Sequence, residues 1–391
     1  MSPRLEIRGV DKVYDAGRAH AVRAVSGLDL AVEPGEIVAL LGSSGCGKTS
    51  TLRMIAGFEE VTAGEILIEG APVHTLPPAR RGVAMAFEGY SLYPPLTLRR
   101  NIALALRAQR LPPAEVEARV AEVAHLVEIE DVLDRYPSSV SGGQQQRTSL
   151  ARALVRPASL HLLDEPMGQL EPQLRALIRG RLKHYVKERG LTAILVTHDQ
   201  TEANALADRI AVMEGGVLQQ FDTPERIRER PANLFTGTFI GEPPMNVFPA
   251  EARMDAGRLS FALGEGVTLD YPADAFPAGL CERLAREARV TVGVRPHAVR
   301  IGEAGDEGAA RAIVYANQWL GDQSHVAARF AGGVLVAVEH ERAWLAPGEA
   351  MSVDIAAREL HVFDTASGAA LAHGAAPAET LGEAVRAGEP A

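Results

Sequence analysis

Gly42, Ser43, Ser44, Gly45, Cys46, Gly47, Lys48 and Thr49 fit the spacing G-x-x-x-x-G-K-[ST] at every fixed position. That pattern binds the phosphates of a nucleotide. Glycines without a Cβ let the backbone curl until successive N–H groups face phosphate oxygens. Lys48 then meets the β- and γ-phosphates, Thr49 offers a hydroxyl to Mg²⁺, and Ser50 opens the helix behind them. Further along, Asp164 and Glu165 end the apolar run 160–163, so two carboxylates sit at the carboxyl end of a buried strand. The first suits Mg²⁺ and the second suits a base for water. His198 follows another apolar run, 193–197, and is placed to sense a γ-phosphate. Ser141 reads as an N-cap, and Gly142, Gly143 and Gln144 behind it make a helix start with exposed N–H groups, a second anion site. Tyr14 stands where an aromatic ring can stack on adenine.

Elements of definite type must hold these residues. The apolar run 37–41 reads as a strand and residues 50–56 as a helix, which gives the phosphate loop its strand-loop-helix setting. Short strands are expected at 5–10, 22–32, 64–70 and 82–87. Helices are expected at 98–109, 113–129 and from Ser141 to about Arg156, and a helix at 200–207 precedes a strand at 209–213. Beyond residue 240 the pattern changes to short strands with glycine turns, at 290–301, 311–319, 325–330, 333–338 and 352–355.

The chain has 391 residues, enough for two or three domains, and a net charge of -10 that argues against a nucleic-acid groove. No uninterrupted apolar segment reaches the ~20 residues that cross a bilayer, and the start shows no charged-then-apolar leader. A cytoplasmic chain is the expectation. Two cysteines, Cys46 and Cys281, are too few for a disulfide framework. Cys46 lies in the phosphate loop, so a thiol reagent there should block nucleotide. The scattered histidines, such as His74 and His161, lack metal-ligand spacing.

Together these motifs resemble the ATP-binding cassette family over about residues 4–240, with Ser141 to Gln144 as the feature that separates it from other phosphate-loop proteins. The resemblance implies an α/β fold: a P-loop NTPase cassette with a RecA-like core and a helical subdomain at about 89–156. It places the cassette at 1–235, an all-β OB-like (TOBE) domain at 236–365 and a flexible tail at 366–391. It also implies two cassettes packed head to tail, with Ser141, Gly142, Gly143 and Gln144 of one completing the ATP site of the other. Asp164 would assist Mg²⁺, Glu165 would be the catalytic base, His198 the switch histidine and Tyr14 the adenine platform. The nearest resemblance is to ATPases of bacterial importers for sugars and polyols, carried by residues 222–246 and by Val294, Arg295 and Pro296. Such a subunit would work at the cytoplasmic face of the inner membrane with two membrane permease subunits and a solute-binding protein.

Two positions depart from the family. Glu88 stands where the family usually has glutamine, adding an acid that could bind Mg²⁺ or repel Glu165. Glu171 replaces an aspartate near the dimer interface. Both fit either a homodimer or a heterodimer with a second cassette ATPase. Competing readings are a soluble cassette ATPase outside transport, import of another solute such as a polyamine, phosphodiester or ion, and an added regulatory role for the C-terminal domain.

Overall fold

Strands β1 (Leu5–Tyr14) and β2 (Val22–Val32) precede β3 (Ile37–Gly42), whose six residues are all buried. A continuous apolar run is what a strand covered on both faces requires. The computed structural model describes residues 2–18, 20–276, 279–303, 310–374 and 376–377. It divides into two compact units, one ending at Pro224 and one beginning at Glu225.

In the first unit, α1 (Lys48–Ala56) follows the phosphate loop, and β4 (Ala63–Ile68) and β5 (Ala71–Pro72) join an antiparallel sheet ordered β2-β1-β4-β5. A second sheet takes β3 together with β6 (Val83–Ala86), β7 (Leu160–Asp164), β8 (Ala193–Val196), β9 (Arg209–Glu214) and β10 (Val217–Asp222). Its order is β10-β9-β3-β8-β7-β6, parallel except for the β9-β10 hairpin. Asp164 pairs with Val196, which pairs with Leu40, so the acidic pair and the phosphate loop leave the sheet at one carboxyl edge. That edge is where open α/β sheets bind ligands.

Helices α2 (Leu98–Ala103), α3 (Pro113–Leu126) and α4 (Gly142–Val155) share a core through Leu98, Ile102, Val120, Val123, Leu150 and Leu154. Burying each such side chain contributes roughly 1.5 to 3 kcal/mol. The helix expected over 98–109 tightens to a 3₁₀ turn at Leu104–Gln109. Sequence reading also missed α5 (Pro172–Glu188), which buries only Ile178, Leu182, Tyr185 and Val186 and so carries a weak apolar stripe. Helix α6 (Gln200–Leu206) is capped by Asp199, whose carboxylate accepts from Thr201 and Glu202 N–H groups.

The second unit starts with α7 (Pro224–Glu229) and α8 (Leu234–Phe239). It contains a seven-stranded and a five-stranded antiparallel sheet among the described residues. The run 290–301, expected as one strand, splits into Arg289–Val294 and Val299–Glu303 around a turn at Pro296–Ala298. Pro296 has no N–H to give a ladder, and the chain changes sheet there. The strands Asn246–Asp255, Arg258–Ala262 and Thr268–Pro272 were not anticipated.

Two expected boundaries differ from the structure. Residues 225–235 fall with the second unit, where the buried Arg295 guanidinium donates to the Arg228 carbonyl and, just beyond the segment, to those of Gly237 and Ile240. Residues expected in the tail from 366 instead extend the seven-stranded sheet: Ala370–His373 pairs with Leu360–Asp364, and Ala376–Pro377 adds a last short strand. The expected tail residues 375 and 378–391 lie outside the described residues.

Candidate functional site

The phosphate loop is shaped by close approach. A Cβ on Gly42 would lie 2.1 Å from the Met213 carbonyl oxygen and 2.6 Å from Cys46 Sγ. Gly47, at φ 104°, would meet the Ala24 carbonyl at 2.4 Å, and Gly45 has φ 80°. Glycine is needed there both for space and for left-handed backbone. Lys48 is buried and its Nζ donates to the Gly42 and Ser43 carbonyls at 2.8 Å each, folding the ammonium back on its own loop. Cys46 is buried with Sγ 3.6 Å from that ammonium, so a thiol reagent has little access without opening the loop. Ser43 donates to Glu214 on the neighbouring hairpin strand, a partner the sequence reading did not include. Ser44 and Thr49 lie within the loop and at the first turn of α1. Tyr14 donates through its hydroxyl to Ser50 Oγ at 3.1 Å, while Lys12 Nζ sits 4.6 Å from the ring centroid on one face.

The acidic pair is electrostatically unbalanced. Asp164 is 3% exposed and its Oδ1 is a buried oxygen without a hydrogen-bond partner. Burial pushes its carboxyl up to about 6, with Glu88 and Glu165 adding repulsion. An orphaned carboxylate oxygen beside two other acids fits a cation. Among the described residues no three His, Cys, Asp or Glu side chains alone form a metal cage. A divalent ion here therefore needs further oxygens, such as the Thr49 hydroxyl and nucleotide phosphates. Glu88 is exposed, two residues past β6, and Phe87 before it packs on Phe58 with ring centroids 5.3 Å apart.

Glu165 adopts φ 46°, a left-handed conformation that costs a non-glycine residue about 1 to 3 kcal/mol. Three backbone bonds hold it there. Its N–H donates to the Val196 carbonyl, and its carbonyl accepts from Gly168 N–H and from Gln146 Nε2. The Glu165 carboxylate lies 2.9 Å from His198 Nδ1, and this contact raises the imidazole's proton affinity above the ordinary histidine range. His198 is otherwise largely exposed.

At the start of α4, Ser141 and Gln144 form a reciprocal capping box, Ser141 Oγ accepting from Gln144 N–H and Gln144 Oε1 from Ser141 N–H. Gly142 and Gly143 pack on Gln169, and Tyr90 donates to the Gln169 side chain. Glu171 is the exposed N-cap residue of α5 and its side chain makes no cap bond. Gln146 was overlooked, although it falls four residues after Gly142 and so on the same helix face.

Comparison with known proteins identifies the family. Residues 25–168 match the ABC transporter family, residues 241–299 the MalK OB fold domain and residues 292–363 the TOBE domain. The chain is 39% identical over 365 residues to the sn-glycerol-3-phosphate import ATP-binding protein UgpC 2 of Agrobacterium fabrum, covering 93% of this chain and 94% of that protein. It is 43% identical over 291 residues to the trehalose import ATP-binding protein SugC of Mycobacterium tuberculosis, covering 74% and 71%. A dimeric ATP-binding cassette in a post-hydrolysis state, bound to ADP and Pi, matches 56% of this chain and 98% of its own, at TM-score 0.53 and 28% identity. Phosphate loop, acidic pair, capped glycine helix and C-terminal domains thus place the chain among the ATP-hydrolysing subunits of the ABC transporter family, in its importer branch.

Proposed function

We propose that this ATPase drives uptake of a carbohydrate or polyol, glycerol-like solutes included, as one of two cassettes beneath a pair of membrane permease subunits served by a solute-binding protein. Relatives named for sn-glycerol-3-phosphate, trehalose and sulfoquinovosyl glycerol support that solute class. No helix among the described residues is long and apolar enough to cross a membrane, and the proposed place is peripheral, at the cytoplasmic face of the inner membrane.

Glu165 and His198 beside the unpartnered Asp164 oxygen carry the catalytic reading. Thr49, Asp164 and Glu88 would hold Mg²⁺, which supplies charge neutralisation at the phosphates when bound. Lys48 and the loop N–H groups orient the β- and γ-phosphates, and Tyr14 offers adenine the ring face opposite Lys12. Glu165 accepts a proton from water as its oxygen attacks the γ-phosphorus, the bond to the β–γ bridging oxygen breaks, and ADP leaves. His198 holds the Glu165 carboxylate in place. Ser141, Gly142, Gly143 and Gln144 of the partner cassette would close the site, with Glu171 at the interface.

Glu165→Gln tests the assignment. ATP should still bind while turnover falls at least about 100-fold and transport stops. Wild-type hydrolysis by that variant would overturn the role of Glu165.

A further inference from the structure

Gln146 is 3% exposed, on the inward face of α4. Its Nε2 donates to the Glu165 carbonyl at 2.6 Å, and its Oε1 accepts the Gln169 N–H at 3.0 Å. Both partners are main-chain groups of fixed polarity, so the orientation of the amide is determined. Among side chains of this length that do not ionise, only glutamine supplies one donor and one acceptor in that order. A methionine would fill the volume with neither bond.

The carbonyl it grips belongs to the residue held at φ 46°, the one whose carboxylate meets His198. The N–H it receives lies two residues before Glu171. Gln169 also lies against the helix start: a Cβ on Gly142 would be 2.9 Å from Gln169 Oε1, and one on Gly143 would be 3.4 Å from the Gln169 carbonyl. Helix start and acidic loop therefore touch directly, through glycines, and Gln146 bonds them together one turn further in.

We infer that Gln146 is a positioning residue that joins the start of α4 and residues 165–169 into one moving piece. This rests on the two-cassette reading above, in which that helix start closes the partner's ATP site. A shift of the helix start on the partner's nucleotide then carries the Glu165 backbone of its own site with it. Hydrolysis at each site becomes conditional on occupancy of the other.

The test uses the full-length chain, with ATPase rate measured against ATP concentration and binding of a fluorescent ATP analogue measured in parallel. In Gln146→Met, kcat should fall at least about tenfold while nucleotide affinity stays within about twofold, and the Hill coefficient should drop toward one. Gln146→Leu likewise removes both bonds at similar volume. It should show the same split, and decides the matter if the methionine variant does not fold. Loss of melting temperature with an unchanged Hill coefficient would mean a packing role only and overturn the inference. A cooperative wild type with an equally cooperative Gln146→Met likewise overturns the inference while leaving the two-cassette reading in place. A wild type that hydrolyses ATP with a Hill coefficient of one overturns the two-cassette reading and the coupling together.

Discussion

The phosphate loop and the acidic loop leave the same edge of one sheet, one strand apart, and differ in how their charge is balanced. Lys48 is buried yet satisfied, its ammonium donating to two carbonyls of its own loop. Asp164 is also buried, with an oxygen unpartnered and two further acids bearing on it. The cationic half is a finished backbone shape, whereas the anionic half is held at an electrostatic cost that a bound cation would relieve. The first should be sensitive to shape and the second to charge.

The largest effect should come from breaking the shape. Gly42→Ala places a methyl 2.1 Å from a carbonyl oxygen that belongs to the sheet and cannot swing aside. It should destabilise the chain by at least about 2 kcal/mol and abolish measurable ATP binding, read by urea unfolding and nucleotide titration.

Removing the charge should do the opposite to stability. The Asp164 carboxyl keeps its proton to about pH 6 in the folded chain, against an ordinary value of 3.8. The share of wild-type stability set by Asp164 is therefore intact below about pH 4 and declines between about pH 4 and 6, by up to ~3 kcal/mol, levelling off above. In Asp164→Asn that decline is absent. Without nucleotide or Mg²⁺ the variant should melt above wild type at pH 8, and the gap should close toward pH 4. An equal melting temperature at both pH values would show that the acid cluster carries no such cost.

The smallest effect is a titration. His198 holds its proton more tightly because Glu165 faces it, so Glu165→Gln should move the His198 midpoint down, toward the ordinary value, as followed by NMR. An unmoved midpoint would show that the contact is not kept in solution.

The shape half was legible from residue types alone, since glycine spacing, strand and helix all point to one loop. The charge half was legible in position but not in balance. Nothing in Asp164-Glu165 tells that one oxygen is orphaned, because that depends on burial beneath elements distant in sequence. Gln146 was hidden for the same reason, as its partners lie 19 and 23 residues onward. In the second unit Asn246–Asp255 alternates buried and exposed residues as a strand should, yet Pro249 within the run masked it. Helix α5 escaped because most of its length faces outward.

Arg295 has a consequence for how such proteins are recombined. Its guanidinium, buried and gripping carbonyls from Arg228 to Ile240, makes α7 and α8 the property of the C-terminal unit. A chimera that grafts this unit onto a foreign cassette at residue 240 would leave three hydrogen bonds of a buried cation facing strange sequence. A splice at 224 would transplant the arginine with its own receptors, so the C-terminal unit of this chain carries both short helices with it.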